Sequence, residues 1–240
     1  MLRHKLSLFK FLIYNIVTLI DVKGENMRFT KEQAVDTIIR CGKEYKEKLN
    51  NTKILVIYRD REINETDAIE ILFRPSNFQH LTGVMLVDRN GKIKQGRSIE
   101  FYKRCISNPF ITKEEILFKE DGTTPLKLSA LPALMDLTKI TKICGNYNNS
   151  KKDLVADAIV GGVSFALAVS KYENSSNEYF PRSVLLEDIR NLVDNASQVL
   201  AIFQKPIADK GKYKMIRYVA KGVTISNVEL PSKIRDAIEL

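Results

Sequence analysis

Apolar side chains at Ala34, Ile38, Cys41 and Tyr45 recur at the spacing of one helical face. Thr30-Lys31-Glu32-Gln33 ahead of them has the form of a capping box, so an amphipathic helix is predicted to run to about Leu49, with Lys43, Glu44, Lys46, Glu47 and Lys48 on its wet side. Asn50-Asn51 breaks it. Lys53 to Tyr58 and Ala68 to Phe73 are then rich in branched and aromatic side chains on either side of a polar turn, Arg61 to Asp67, and read as an antiparallel pair of strands that delivers the chain to Pro75 and a loop carrying His80. Asp88-Arg89-Asn90-Gly91 between Met85 to Val87 and Ile93 is a hairpin signal. The pattern next turns helical over Ser98 to Ile106 and Leu126 to Leu137, where Pro125 stands near a helix start and Pro132 bends or splits the helix. Strand patterns return at Ile140 to Tyr147, Leu154 to Val160, Val163 to Ser170, Val199 to Phe203 and Tyr213 to Ala220, with Asp209-Lys210-Gly211-Lys212 as the last turn. Asn146 to Lys152 and Glu173 to Glu178 are polar loops too short to separate domains. Helical segments beside a mainly antiparallel β-sheet place the chain in the α+β class.

The first twenty-six residues follow another pattern. Leu6 to Ile20 is apolar apart from Ser7, Lys10, Asn15 and Thr18, and follows Arg3, His4 and Lys5. It resembles a signal-peptide core, but it is shorter and more interrupted than the roughly twenty apolar residues of a membrane span, and no small-residue cleavage site follows. Lys23-Gly24-Glu25-Asn26 can be encoded by AAAGGAGAAAAT, a purine-rich run of the kind that precedes a bacterial start codon, so translation is expected to begin at Met27. The expected organisation is a leader over residues 1–26, an N-terminal helix over 27–50 and one domain over 51–240.

Charge and cysteine usage narrow the chemistry. The 240 residues carry 38 Lys plus Arg against 29 Asp plus Glu, a formal charge of +9, which favours a polyanionic partner such as nucleic acid. Cys41, Cys105 and Cys144 are odd in number and far apart, with no Cys-x-x-Cys and no histidine at ligand spacing, so a zinc site or a disulfide framework is not expected. They read as reduced, mostly buried thiols of a cytoplasmic protein. Gly161-Gly162 is too short to read as a dinucleotide-binding turn, and there is no Walker loop.

One stretch combines a proton carrier with a turn. Asn77-Phe78-Gln79-His80-Leu81-Thr82-Gly83-Val84 holds the only histidine outside the leader, beside a hydroxyl and a glycine. Following an extended apolar run, it resembles the phage-associated branch of the barnase, EndoU, colicin and RelE-like nucleases. Phe101-Tyr102, Thr124-Pro125-Leu126-Lys127-Leu128, Pro181-Arg182-Ser183-Val184-Leu185 and Ala201-Ile202-Phe203-Gln204-Lys205 with Tyr213 resemble that branch in order and approximate spacing, so the resemblance covers about Thr52 to Tyr218. It implies a barnase/EndoU-like nuclease core with the active site on the exposed face of the sheet. It also implies a metal-independent endoribonuclease of a phage or mobile element, acting as a toxin, a defence factor or a host-takeover factor. RNA, with tRNA among the candidates, is the implied partner, an immunity or host protein a further one, and neither a cofactor nor stable membrane association is expected. The alternative is a catalytically inactive module that binds nucleic acid or a host protein on the same fold.

Metal-free RNA cleavage needs a base for the 2′-hydroxyl, stabilisation of the phosphorane charge and an acid for the leaving 5′-oxygen. On this reading the catalytic residues are His80 as proton carrier, Lys205 at the phosphate, and Thr82 and Ser183 as hydrogen-bond donors; Asn77, Arg74, Lys127, Arg182 and Tyr213 contact RNA, with Arg182 gripping a phosphate bidentately. The plain alternatives are that Thr82 only shapes the turn before Gly83, Ser183 is an ordinary strand residue, and Arg182 and Lys205 are solvated cations. A metal-dependent rival is poorly supported: Glu114-Glu115 and Glu187-Asp188 are adjacent pairs whose side chains diverge on a helix, and Asp67 and Glu70 lack a downstream Glu-x-Lys. Without a second histidine, another residue must complete the acid/base pair or catalysis must be slow.

The leader makes the first prediction. A chain beginning at Met27 is expected to fold as well as the full chain and to dissolve better. A large fall in melting temperature on removing residues 1–26 would instead show that Leu6 to Ile20 packs into the fold.

Overall fold

The computed structural model describes residues 29–173 and 177–239; the apolar leader lies outside the described residues, as does part of the loop expected at Glu173 to Glu178. Helix α1 (Lys31–Lys48) buries Ala34, Ile38, Cys41 and Tyr45, the stripe expected from the periodicity. Strands β1 (Thr52–Arg59) and β2 (Thr66–Phe73) pair antiparallel from Thr52↔Phe73 to Arg59↔Thr66. A short helix α2 (Asn77–Thr82) and β3 (Val84–Leu86) follow, then α3 (Ser98–Ile106), β4 (Ile116–Phe118), α4 (Thr123–Leu134) and α5 (Leu137–Ile140). The second half supplies β5 (Ile143–Asn146), β6 (Ala158–Gly161), β7 (Ala166–Lys171), β8 (Glu178–Leu185), β9 (Ser197–Pro206) and β10 (Met215–Val219), and ends in α6 (Ser232–Ala237).

The main sheet closes on itself. Its order is β1-β2-β8-β7-β6-β5-β9, and β9 pairs back onto β1, which makes a seven-stranded barrel with β10 added along β9. Every pairing in it is antiparallel except β2 with β8, which meet in parallel through Glu70↔Glu178 and Ile71↔Tyr179 alone. A second narrow seam joins β5 to β9 through Ile143↔Gln198 and Cys144↔Ser197. Closure leaves no free edge on those strands, and the alternation of side chains across each strand sets an inner and an outer face. Leu55, Ile57 and Ala68 on one face pack with Phe203, Tyr213 and the C-terminal Ile225, Leu230, Ile234 and Ile238. Ile54 and Val56, alternating with them, are fully buried on the other face.

Several expected elements are displaced. His80 lies on a helix where a loop was expected: Arg74 N–H donates to Asn77 Oδ1 at 2.7 Å and Asn77 N–H to Arg74 O at 3.0 Å, which starts a turn that six residues continue. Asp88 to Gly91 makes a turn with one bridge, Val87↔Ile93, while β3 pairs with β4 in a separate two-stranded sheet. The strands expected at Ile140, Leu154, Val163 and Tyr213 begin later, and the helix expected at Leu126 begins at Thr123 and ends at Leu134, with Pro132 in its last turn. Four further elements were not expected from the sequence: β4, α5, α6 and β8. Strand β8 tolerates a proline because Pro181 sits where the β7–β8 register shifts, beyond the two positions where β2 needs donors.

The helices gather on an aromatic cluster. Tyr45 of α1, Phe73 at the end of β2, Phe78 of α2 and Phe101 and Tyr102 of α3 make edge or tilted contacts with ring centroids 5.1 to 6.3 Å apart. Tyr45 also donates its hydroxyl to Arg74 O at 2.9 Å. This cluster is the floor on which α2 stands, and α1 belongs to the same compact unit as the barrel.

The cluster generates a stability prediction. Tyr45→Phe, which strips the Arg74 carbonyl of the donor it has from a buried hydroxyl, should cost about 1 kcal/mol in a denaturant titration. Tyr102→Phe should be neutral or stabilising, because the buried Tyr102 hydroxyl has no partner among the described residues. The reverse order would overturn this account of the cluster.

Candidate active site around His80

Helix α2 is held from both sides. Phe78 and Leu81, three residues apart, bury one face of it, while Gln79 and His80 lie toward solvent. Thr82 is fully buried; its hydroxyl donates to Gln79 O at 2.7 Å and accepts from Val84 N–H at 3.3 Å. Gly83 ends the helix in the left-handed region, at φ 74°. Its carbonyl accepts from the Thr124 hydroxyl at 2.7 Å, and the same hydroxyl accepts from Lys119 N–H at 3.0 Å. A Cβ at residue 83 would stand 3.2 Å from Thr124 Cα and 3.0 Å from Lys127 Cδ, so α4 lies directly on this glycine.

That contact brings cations to the histidine. Lys127, one helical turn after Thr124, donates Nζ to the His80 carbonyl at 3.1 Å, one of the carbonyls a helix end leaves unpaired. Lys119 arrives from the end of β4 and Arg182 from β8, where its guanidinium lies 6.0 Å from the Phe180 ring. His80 opens on a cleft of about 290 Å³ lined by Gln79, Val84, Met85, Lys94 and Lys119 among others. Partial burial lowers the His80 pKa below its ordinary value, and Lys127, Arg182 and Lys119 lower it further, which favours the neutral imidazole at pH 7. Burial also brings Lys127 down to about 8, with Lys119 and Arg182 acting in the same direction and Asp121 against them.

The residues expected at the site fall into two groups. His80, Lys127 and Arg182 come together. Asn77 and Thr82 lie beneath them, buried and hydrogen-bonded within the turn, which gives them a positioning part; Thr82 shapes the turn before Gly83. Ser183 is buried in register with Ala168, next to the exposed Arg182. Lys205 and Tyr213 are elsewhere. Lys205 pairs with Lys53 in the sheet, donates Nζ to Gly211 O at 2.5 Å and lies 4.4 Å over the Tyr213 ring, three strand spacings or about 14 Å across the sheet from β8. Tyr213 is buried beneath it, so its ring is closed to a stacking base, and its hydroxyl bonds Glu70. Lys53 joins that group by bridging Glu70 at 3.2 Å and Glu178 at 2.9 Å. Arg74 is exposed between the groups, and its charge acts on Glu178. Lys119 and Lys94 were not anticipated, because nothing in their local pattern separates them from other surface lysines.

No group of three or more His, Cys, Asp or Glu side chains among the described residues is placed to hold a metal ion, and no helix among them is long and apolar enough to cross a membrane. All three cysteines are free and buried, and burial pushes the Cys41 thiol up to about 12.

The landmarks Asn77 to Gly83, Phe101-Tyr102, Thr124 to Lys127 and Arg182 are thus the parts of one assembly. All of them fall inside residues 37–221, which match the family described as phage-Barnase-EndoU-ColicinE5/D-RelE like nuclease4. The chain belongs to that family. Membership in this BECR-type nuclease family implies a nucleic acid substrate, and the match runs from within α1 to just past β10. No curated protein and no solved structure matches the chain.

The link between Gly83 and Thr124 can be tested directly. Thr124→Val keeps the shape but strips the Gly83 carbonyl and the Lys119 amide of their partner, and should lower stability by about 1 to 3 kcal/mol. The fall should appear in the denaturant midpoint, and the same variant should lose activity as Lys127 shifts. An unchanged midpoint would overturn the assignment.

Proposed function

We propose that this protein is a metal-independent endoribonuclease of a phage or mobile element that cleaves RNA by transesterification. The observation that carries the reading is His80 opening on a cleft lined by Lys94 and Lys119, with Lys127 bonded to its backbone carbonyl and the charges of Lys127, Arg182 and Lys119 acting on its imidazole. In the proposed reaction His80 takes the proton of a 2′-hydroxyl, O2′ attacks phosphorus, and the P–O5′ bond breaks to leave a 2′,3′-cyclic phosphate and a 5′-hydroxyl. Arg182 and Lys119 hold the nonbridging oxygens; the guanidinium suits two of them at once and the ammonium acts as a point charge. Lys119 and Arg182 have no carboxylate within ion-pair distance among the described residues, which leaves both available to a phosphate.

A second reading keeps the fold and drops the chemistry. Thr82 and Ser183, expected as catalytic donors, are buried, and Lys205 stands with the other group, which favours a binding module that uses the same cations.

Cleavage assays separate the two. The protein should cut RNA in excess EDTA and leave a 2′,3′-cyclic phosphate, and His80→Ala should cut the rate roughly a hundredfold or more while changing RNA affinity little. Activity that returns only with magnesium would overturn the metal-free reaction. Cleavage untouched by His80→Ala, in a preparation free of contaminating ribonuclease, would favour the binding module.

A further inference from the structure

We propose that Lys127 is the general acid of this reaction, the group that hands a proton to the leaving 5′-oxygen. The proposal rests on the endoribonuclease reading and supplies the partner that a protein with one usable histidine lacks. Its basis is the way Lys127 is held. The aliphatic stem lies on Gly83, with a Cβ position there 3.0 Å from Lys127 Cδ and 3.5 Å from Lys127 Cβ, and Nζ donates to the backbone carbonyl of His80 itself at 3.1 Å. Base and acid must face each other across one phosphate. Here the proposed acid is tied to the main chain of the residue that carries the proposed base, and its charge acts on that imidazole.

An ammonium has three N–H bonds, and the His80 carbonyl uses one, so two remain for a substrate oxygen. The charged and titratable groups around Lys127 are His80 on α2, Lys119 at the end of β4, Asp121 before α4 and Arg182 on β8. Three of the four are cationic or neutral, so proton loss from Lys127 is favoured over that of an ordinary lysine, while Lys127 remains charged at pH 7. Neutral base and charged acid at the same pH is the pairing that acid/base cleavage needs. The step balances. His80 gains the 2′-hydroxyl proton, the O2′–P bond forms, the P–O5′ bond breaks with its electron pair on O5′, and Lys127 supplies the proton that makes the 5′-hydroxyl. Exchange with water then returns His80 to the neutral form and Lys127 to the ammonium.

The test compares leaving groups on the full chain. One substrate is a short oligoribonucleotide, and the other is the same strand with sulfur in place of the scissile 5′-oxygen, whose thiolate leaves without an acid. Lys127→Ala should slow the oxygen substrate roughly a hundredfold or more and the sulfur substrate only a few-fold. Lys127→Arg should restore RNA binding but not the oxygen rate, since a guanidinium does not give up its proton. The alkaline limb of the wild-type rate profile, expected near pH 8, should vanish in Lys127→Ala with the residual activity. If Lys127→Ala fails to fold, Lys127→Met keeps the stem over Gly83 and makes the same comparison. Equal slowing of both substrates, or rescue of the oxygen rate by Lys127→Arg, would reduce Lys127 to a phosphate contact or a structural part. His80→Ala separates this failure from that of the endoribonuclease reading: a variant that slows both substrates leaves the reading intact, and one that slows neither removes it.

Discussion

The contact on which the site depends is the one between Gly83 and Thr124. A left-handed residue ends α2, its carbonyl takes the Thr124 hydroxyl, and α4 is laid across it so closely that the space of a side chain is already filled. Glycine is required twice over, once for the positive φ and once for the absence of a Cβ; a substituted residue would add about 1 to 3 kcal/mol of backbone strain to the overlap. From this single crossing follow the direction in which His80 faces, the reach of Lys127 to the His80 carbonyl, and the placement of Lys119, whose amide hangs from the same hydroxyl. The aromatic cluster beneath α2 is the other half of the constraint. It fixes Phe78 and so prevents the short helix from rolling, which a helix of six residues could not prevent by its own hydrogen bonds.

The two polar groups on the barrel are electrostatic opposites. Around Lys53 each charge has an opposite partner: one ammonium bridges Glu70 and Glu178, and the Tyr213 hydroxyl bonds Glu70. These residues lie at the parallel seam of β2 and β8, which has only two residue pairs in register, so the ion pairs reinforce the narrowest joint of the wall. Around His80 the charges do not cancel. Lys119, Lys127 and Arg182 converge there, and the nearest acidic influence on Lys127 is the exposed Asp121. A basic net charge spread along the sequence says little about a partner. The fold makes it informative by pairing Lys53 with carboxylates and leaving another set of cations whose charge acts on His80.

What was legible in the sequence was whatever a segment decides by itself. Helix α1, the β1–β2 hairpin and α3 each bury a stripe that their own periodicity announces, and the structure places them within a residue or two of the expected bounds. Helix α2 was read as a loop because six residues are too few for a periodicity, and its start depends on the Asn77 side chain closing a turn at Arg74. Strand β8 carries proline and exposed charge and is a strand only because β7 and β2 supply partners from elsewhere in the chain. The same limit applied to the site. Linear order set His80 beside Thr82 and grouped Lys205 with it, yet Thr82 turns inward and Lys205 lies three strands away. Lys127 was picked out for contact with RNA, and its tie to the His80 carbonyl depends on a helix crossing that no local pattern records.

The cations that surround His80 also couple its protonation to occupancy of the cleft. In the open site burial, and after it these cations, lower the His80 pKa and so favour the neutral imidazole, the form the proposed base needs before it acts. A phosphodiester seated among Lys119, Lys127 and Arg182 brings a negative charge that offsets part of their field, which raises the affinity of His80 for a proton once the substrate is present. In the proposed reaction His80 is therefore unprotonated while it waits and a better proton acceptor when the substrate is seated. The same anion makes Lys127 harder to deprotonate at the start and, as negative charge builds on the leaving oxygen, gives its proton a stronger acceptor at the end. Both effects come from the cations whose charge acts on His80, and Lys127 is one of them because the crossing at Gly83 brings α4 against α2.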